Sequence, residues 1–304
     1  MILTKTVGLI AAPYTPYSND GSVNLDVIDE YAAKLKNNGL RGAFICGSTG
    51  ESASLSVEER ILIAGKWLQH QSSEFRIYVH IGTNSIKDAC VLAKHAEENG
   101  AFAIAATGPS YFKPGTVMVL VRFMKEIAAA ASQTPFYYYH IPGMNQNNLS
   151  ATEFLHIAMN EIPTLSGLKY THEDEMEFQL CRQLGDGKLD VLYGRDETLI
   201  CGLALGARGG VGSTYNFMPG LYTAIIKNFN KGLLDEANEL QLISMKVIQL
   251  YVKYGGVPAG KVIMKRLGLD LGSPRLPFLG LSKQQEKLLL TELDDLYFFS
   301  YALK

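Results

Sequence analysis

The chain has 304 residues, of which 47% are hydrophobic and 19% are charged, and its formal net charge is −2. This length is sufficient for one α/β barrel with an appendage, or for two smaller domains, with a large buried core. The nearly neutral charge, without long runs of like charge, argues against nucleic acid or an anionic membrane as a partner.

The N-terminal stretch and the cysteines indicate the cellular compartment of the protein. The apolar run near the start is interrupted by Pro13 and is too short for a signal peptide core or a membrane span. The four cysteines include no CxxC pair and no spacing typical of zinc ligands. Scattered free thiols suit a reducing compartment, so we expect a soluble cytoplasmic protein.

Apolar runs alternate with amphipathic helical stretches up to about residue 230. Eight runs are typical of buried strands, at 7–12, 42–46, 76–81, 101–106, 135–141, 165–171, 190–193 and 209–213. Helices are predicted near 25–38, 56–71, 85–99, 116–131, 150–160, 174–184, 197–205 and 218–229. Eight successive strand–helix units predict a closed (β/α)8 TIM barrel over residues 1–230. The alternative is an open doubly wound sheet, which the lack of G-x-G-x-x-G after the first strand weakens.

Local signals refine this prediction. Ser56 with Glu59 and Ser150 with Glu153 have the spacing of capping boxes at helix starts. The glycines of NNG (37–39) and ENG (98–100) are expected to end helices before the next strand.

The alternation stops after residue 230. Residues 233–254, 259–268 and 282–301 predict three helices, so that residues 231–304 form a C-terminal helical appendage. Lys261, Lys265 and Arg266 form a basic cluster that we expect to be a solvated helix face.

Polar residues follow six of the predicted strands. In a TIM barrel the active site lies at the C-terminal ends of the strands, so these residues are expected to converge on one mouth. They are Gly47–Glu51 after the second strand, Tyr111 after the fourth, Tyr139 and His140 at the fifth, Lys169 and Thr171 at the sixth, 194–197 after the seventh and 212–216 after the eighth.

Lys169 is the most informative of these residues. Side chains alternate across a strand, so Gly167, Lys169 and Thr171 share one face of the sixth strand. One interpretation is a lysine that reaches solvent at the strand end, and on this stretch alone it is favoured. The other is an amine that desolvation keeps neutral, so that it can attack a carbonyl.

The other mouth residues allow two interpretations each. The turn GSTGE (47–51) can direct backbone N–H groups and the hydroxyls of Ser48 and Thr49 at a carboxylate, or it is an ordinary glycine turn. Tyr139 is either core packing or a proton shuttle beside the lysine. Asp196 and Glu197 suit hydrogen bonding to a polyol, although Asp196 equally suits helix capping.

The histidines favour no metal chemistry. The six histidines form no H-E-x-x-H and no H-x-H motif, so no metal site is predicted. His140 is expected to face away from the barrel, because its neighbour Tyr139 faces inward. It is interpreted as structural.

Four motifs together resemble a known family. GSTGE (47–51), YYHIP (138–142), GLKYT (167–171) and GSTYN (212–216) are similar to motifs of the dihydrodipicolinate synthase/N-acetylneuraminate lyase family. The similarity covers nearly the whole chain, and YYYHIP with YGRDE and GSTYN points to the sialic acid lyases of that family. The resemblance implies a class I aldolase that cleaves N-acetylneuraminate reversibly to N-acetylmannosamine and pyruvate. It also implies a homotetramer that needs no metal or other cofactor.

The resemblance assigns roles to single positions. Lys169 matches the Schiff-base lysine and Tyr139 the catalytic tyrosine of the family. Ser48 and Thr49 match the pair that binds the substrate carboxylate, and Tyr111 matches a tyrosine offered by a neighbouring subunit. The positions that match the sugar end of the site are Thr171, Gly194, Asp196, Glu197 and Ser213.

Two departures from the family pattern concern specificity. Residues 143–148, GMNQNN, replace the family's usual small–Thr/Ser–Gly–Val pattern, and no arginine stands near Met144, which argues against dihydrodipicolinate synthase activity. Arg195 occupies a position that varies among the lyases. The alternatives are therefore another pyruvate-dependent class I aldolase, such as dihydrodipicolinate synthase or 2-keto-3-deoxygluconate aldolase, and a sugar- or keto-acid-binding module without activity.

Overall fold

A computed structural model describes residues 5–304 of the chain. Its eight strands pair in chain order and close into a parallel barrel, because the last strand hydrogen-bonds to the first. The predicted (β/α)8 barrel is therefore confirmed, and the open doubly wound sheet is wrong. The strands are β1 (Gly8–Ala11), β2 (Gly42–Ile45), β3 (Arg76–His80), β4 (Ala103–Ala106), β5 (Phe136–His140), β6 (Leu165–Tyr170), β7 (Asp190–Tyr193) and β8 (Gly209–Gly212).

Twelve α-helices lie in the described part of the chain. Eight of them alternate with the strands, a short one directly follows β5, and three form the C-terminal segment. They are α1 (Val27–Asn37), α2 (Val57–Leu68), α3 (Ile86–Glu98), α4 (Val117–Ala129), α5 (Pro142–Asn145), α6 (Ala151–Glu161), α7 (Glu175–Gln183), α8 (Leu199–Ala204), α9 (Pro219–Asn230), α10 (Leu234–Lys253), α11 (Val257–Arg266) and α12 (Lys283–Asp294).

Two helical features differ from the prediction. The sequence pattern did not predict α5, and α12 ends at Asp294 rather than near residue 301. Beyond the end of α12, Tyr297 has a left-handed backbone with φ 53°, which cannot continue an α-helix, and a short 3-10 turn follows at Phe298–Ser300. No helix among residues 5–304 is both long enough and apolar enough to cross a membrane.

The predicted helix caps are only partly present. Ser56 and Glu59 exchange both bonds of a capping box at the start of α2. At α6 the Ser150 hydroxyl accepts from the Glu153 amide and donates to Glu177 Oε1 at 2.7 Å. The Glu153 side chain does not accept from the Ser150 amide, so the second box is half formed. Gly39 and Gly100 have φ values of 79° and 73°, which confirms that they end α1 and α3.

The barrel has two buried layers. Side chains alternate along each strand, so one set fills the barrel and the other packs against the helices. On β5, Tyr137 and Tyr139 point inward, whereas the Tyr138 ring lies 4.2 Å from the ring of Phe154 in α6. The barrel interior contains Ile10, Ala12, Phe44, Tyr78, Ala103, Ala105, Tyr137, Tyr139, Ile141, Leu192 and Val211.

The C-terminal helices pack against the barrel units. Gln241 of α10 donates to the backbone carbonyls of Asp196 and Glu197, both at 3.1 Å. The expectation of a solvated basic face on α11 is wrong for Lys261, which is buried, and correct for Lys265, which is exposed and pairs with Asp270. Lys261 is buried because α11 lies over the loops that follow β1 and β2, where its amine pairs with Glu51. The division into domains at residue 230 stays a prediction.

The inside of the barrel leaves no space for a side chain at Gly167. A Cβ there would lie 2.2 Å from Tyr137 Cε1 and 2.3 Å from the Asp190 carbonyl oxygen. Because the carbonyl belongs to the neighbouring strand, we expect Gly167→Ala to lower the free energy of unfolding by about 3 kcal/mol. Gly115→Ala is the control, since a Cβ there meets nothing within 4 Å. Thermal unfolding of both variants checks this, and equal losses would contradict it.

Candidate active site

Lys169 lies inside the barrel, near its C-terminal mouth. It sits in β6 opposite Tyr139 of β5 and Leu192 of β7, and only 4% of its surface is exposed. Its Nζ is 4.1 Å from the centroid of the Phe44 ring and 4.0 Å from that of the Tyr139 ring. Within residues 5–304, Nζ has no hydrogen bond and no carboxylate partner. The lysine therefore does not reach solvent, and its amine is held between two aromatic faces.

Tyr139 completes the wall around the amine. Its ring meets Phe44 edge-on at 5.4 Å and His80 edge-on at 5.8 Å, and the residue is buried. Three strands, β2, β3 and β5, thus fix its orientation. A phenol beside a buried amine is suited to proton transfer.

His80 is a mouth residue that the sequence reasoning missed. Its Nδ1 donates to the Cys46 carbonyl at 2.9 Å, and its Nε2 faces Thr107 Oγ1 at 3.4 Å. Burial, helped by the charge of Arg60, lowers the pKa of His80 to about 3, so the imidazole is neutral at pH 7. Arg60 itself donates to the carbonyls of His80 and Gly82. The sequence does contain a signal for His80, because alternation along the third strand places it on the same inward face as Tyr78.

The turn of residues 47–50 has an unusual backbone at both flanks. Cys46 and Glu51 have φ values of 53° and 56°, which costs about 1–3 kcal/mol for each residue other than glycine and is common at ligand sites. Gly47 lies against Phe44, because a Cβ there would be 3.1 Å from the Phe44 ring. Phe44 thus contacts both the turn and Lys169. In the part of the chain that the structure describes, the hydroxyls of Ser48 and Thr49 have no protein partner.

Thr171 and Gly194 bring the ends of β6 and β7 together. The Thr171 hydroxyl is buried and has no hydrogen-bond partner among residues 5–304. A Cβ at Gly194 would lie 2.0 Å from this hydroxyl, so glycine is needed at that position. A buried hydroxyl without a partner at a site of this kind indicates a ligand contact.

Asp196 is buried at the end of β7. Its Oδ2 accepts from the Thr214 amide at 2.9 Å and from the Thr214 hydroxyl at 2.5 Å. Burial and the charge of Glu197 raise the pKa of Asp196 to about 6, although the bonds from Thr214 oppose that shift. The Asp196 carboxylate thus joins the loop after β7 to the loop after β8.

Glu197 is held beside Asp196 and is partly open to solvent. Its Oε1 accepts from Arg195 Nε at 3.0 Å, and Arg195 Nη2 lies 3.7 Å from Glu173 in the loop after β6. Arg195 therefore links the loops after β6 and β7. Gln241 holds the backbone of the same loop from α10, which no pattern in the sequence indicated.

Ser213 lies half-buried at the end of β8. Asn216 Nδ2 donates to the carbonyls of Ser213 and Ala12, at 2.7 and 2.6 Å, and Asn216 Oδ1 accepts from Tyr31. The loop after β8 is thereby fixed against the loop after β1. The structure thus brings Ser213 to the same mouth as Lys169.

Tyr111 does not cover the mouth of its own barrel. It is 78% exposed, and its ring contacts that of Phe112, which is 83% exposed. Asn84 Oδ1 accepts from the amides of Ser110 and Tyr111, at 2.8 and 3.2 Å, so the backbone of this loop is held in place. A cleft of about 490 Å³ lies beside this loop and beside His80, and Lys169 does not line it.

His140 faces outward, as predicted. Its ring stacks on Tyr170 at 5.3 Å, and burial lowers its pKa to about 4. Among the described residues, no group of three or more His, Cys, Asp or Glu side chains could hold a metal ion.

The arrangement combines three chemical groups at one mouth. They are an amine that can attack a carbonyl, a tyrosine beside it, and a turn with free hydroxyls that suits a carboxylate. The loops after β6, β7 and β8 add oxygen groups that suit a polyhydroxylated chain. This combination fits imine chemistry on a sugar-derived keto acid.

Comparison with known proteins shows similarity to N-acetylneuraminate lyases over nearly the whole chain. The N-acetylneuraminate lyase of Pongo abelii is 37% identical over 303 residues, which cover 98% of this chain and 95% of that protein. The solved N-acetylneuraminate lyases of Aliivibrio salmonicida and Proteus mirabilis are 42% and 40% identical, each with a TM-score of 0.94. The matches cover 97% of this chain in both cases, and 98% and 100% of those chains. The model of the dihydrodipicolinate synthetase family matches residues 5–295, and the chain belongs to that family.

Proposed function

We propose that the chain is a class I aldolase that cleaves N-acetylneuraminate reversibly to N-acetylmannosamine and pyruvate. The observation that carries the proposal is the buried Lys169 amine between Phe44 and Tyr139, beside a turn that suits a carboxylate. The names of the similar lyases support the choice of substrate.

The reaction begins at the ketone of the substrate. The carboxylate binds at Ser48 and Thr49, and the lone pair of the Lys169 amine attacks C2. Loss of water leaves an iminium ion, which is the electron sink for the next step. Tyr139 accepts the proton of the C4 hydroxyl while its own phenolic proton passes to the substrate carboxylate, and the C3–C4 bond breaks. The sugar leaves as an aldehyde, the enamine gains a proton at C3, and water releases pyruvate.

The sugar end of the substrate lies along the loops after β6, β7 and β8. The Thr171 hydroxyl, which has no protein partner within residues 5–304, and the Asp196 carboxylate are suited to its hydroxyls and its N-acetyl group. Gly194 leaves space for the chain, and Glu197 and Ser213 contribute further oxygens. These contacts allow the site to discriminate between a substrate with a long polyhydroxylated chain and one with a short aldehyde.

The iminium ion itself supplies the electron sink, so the proposed mechanism needs neither a metal nor an organic cofactor. The proposal includes a cytoplasmic location, which the four scattered cysteines support because all of them are free thiols. Small molecules are the only proposed ligands, and the only proposed macromolecular partner is another copy of the chain.

A panel of substrates tests the function against related aldolases. Pyruvate release from N-acetylneuraminate should be faster than from 2-keto-3-deoxygluconate, and aspartate semialdehyde with pyruvate should give no product. The expectation follows because residues 143–148 contain no arginine for a second carboxylate. Faster turnover of 2-keto-3-deoxygluconate or of aspartate semialdehyde would show that N-acetylneuraminate is not the preferred substrate. Tight binding of N-acetylneuraminate without pyruvate release would favour the binding module.

The active unit is proposed to be a homotetramer in which Tyr111 serves a neighbouring site. The exposed Tyr111 and Phe112 beside an open cleft support this, since aromatic residues are enriched at interface cores. We expect Tyr111→Ala to weaken assembly and to lower turnover by about tenfold or more. Tyr297→Ala is the control, because Tyr297 is equally exposed. Light scattering on the assayed samples checks this, and a fully active monomer would refute it.

A further inference from the structure

Lys261 is a buried cation that the proposed mechanism does not use. It lies in α11, far along the chain from the barrel strands, and its Nζ is 3.1 Å from Glu51 Oε1. The same nitrogen donates to the Thr15 carbonyl at 2.8 Å and lies 4.1 Å from the centroid of the Tyr17 ring. Burial lowers the pKa of Lys261 to about 8, although Glu51 opposes this shift. Removing the charges of Lys261 and Glu51 from water costs free energy, so we expect the pair to have a role other than stabilising the fold.

Two of the contacts of Lys261, those with Glu51 and Thr15, connect it to the turn of residues 47–50. Glu51 directly follows the turn in a left-handed conformation, and its second oxygen, Oε2, accepts from the Arg275 amide at 3.0 Å. Thr15, whose carbonyl Lys261 holds, donates its own hydroxyl to the Gly50 carbonyl at 2.6 Å. Lys261 therefore fixes the last two residues of the GSTGE sequence, one through each partner.

We propose that Lys261 is a positioning residue that keeps the turn of residues 47–50 in the shape that binds the substrate carboxylate. This inference rests on the proposed function. Lys261 does not touch the substrate, since its amine is engaged by Glu51, Thr15 and Tyr17. It acts through Glu51 and Gly50 on the directions of the Ser48 and Thr49 hydroxyls.

The two substrates of the reverse reaction separate this role from a purely structural one. Pyruvate carries the carboxylate, and N-acetylmannosamine carries none. A loosened turn should therefore raise the KM for pyruvate by about tenfold to a hundredfold, the range for a lost hydrogen bond to a charged group. The KM for N-acetylmannosamine should change by less than about threefold. General damage to the barrel would alter both values or lower only kcat.

The experiment compares Lys261→Met with Lys265→Met in the full-length chain. Lys265 lies one turn further along α11, is exposed and pairs only at the surface with Asp270, so its loss should leave both KM values unchanged. A second readout is the pyruvate concentration that gives half-maximal trapping of Lys169 by borohydride. It should rise with the pyruvate KM in Lys261→Met and stay at the parent value in Lys265→Met.

Lys261→Met leaves the Glu51 carboxylate buried without its partner and is at risk of not folding. The variant that combines Lys261→Met with Glu51→Gln leaves no unpaired charge there, and it gives the same measurement if the single variant does not fold. An unchanged pyruvate KM in a folded variant overturns the inference. Failure of the proposed function looks different, because the parent chain would then show neither pyruvate trapping nor sugar-dependent turnover.

Discussion

Lys169→Met is expected to lower the rate of pyruvate release from N-acetylneuraminate on the order of 10⁴-fold or more. The variant removes the only group proposed to form the covalent intermediate. Methionine keeps the length and the apolar contacts of the side chain with Phe44 and Tyr139. Because Nζ has no hydrogen bond within residues 5–304, no protein partner is left unpaired, and the fold should persist.

Borohydride reduction gives the matching chemical measurement. In the presence of pyruvate it should add mass to the peptide that contains Lys169 in the parent chain, and it should add none in Lys169→Met. Lys188→Met serves as the control, because Lys188 is an exposed lysine that should affect neither trapping nor turnover. An adduct on another lysine, or substantial activity of Lys169→Met, would end the Schiff-base interpretation.

Tyr139→Phe is expected to lower kcat by about 10²- to 10⁴-fold, the usual range for the loss of a general acid or base. The variant keeps the ring that contacts Phe44, His80 and Lys169 and removes only the hydroxyl. Borohydride should still trap pyruvate on Lys169, because the first step needs the amine. The two measurements together separate proton transfer from imine formation.

Tyr137→Phe is the matched control on the same strand and the same face. The Tyr137 hydroxyl donates to Asp190 Oδ2 at 2.9 Å, on the side of the barrel away from the mouth. Its loss should lower the free energy of unfolding by about 1–3 kcal/mol and leave kcat close to that of the parent. Equal losses of kcat in the two tyrosine variants would show that Tyr139 acts only through packing.

The sequence predicted the barrel well because local periodicity determines it. Strands with inward alternation and helices with a polar face repeat eight times, and each unit carries its own signal. The same alternation correctly placed Lys169 and Tyr139 on inward faces and His140 on an outward face. The roles carried by the family resemblance, from Ser48 to Ser213, stay predictions that kinetics must test.

What the sequence did not reveal depends on contacts between distant segments. Lys169 is buried because Phe44 and Tyr139 from two other strands enclose it, and no pattern within the sixth strand shows this. The burial of Lys261 by its pairing with Glu51 is a similar case. The Ser150 hydroxyl also donates to Glu177, a contact that the capping-box pattern does not indicate. Spacing along the chain identifies such residues, but it does not show which distant residues they contact.

The closure of the barrel has a consequence for synthesis on the ribosome. β1 is made first, yet one of its two hydrogen-bonding neighbours is β8, so one edge of β1 has no neighbouring strand until β8 emerges. The turn of residues 47–50 is made before six of the eight strands, whereas Lys261 and the Arg275 amide that hold Glu51 are made after the last strand. A nascent chain that has just completed its barrel therefore still lacks the anchors of its carboxylate turn. Activity should appear only after Arg275 has emerged, and until β8 emerges the unpaired edge of β1 is a site that chaperones are expected to protect.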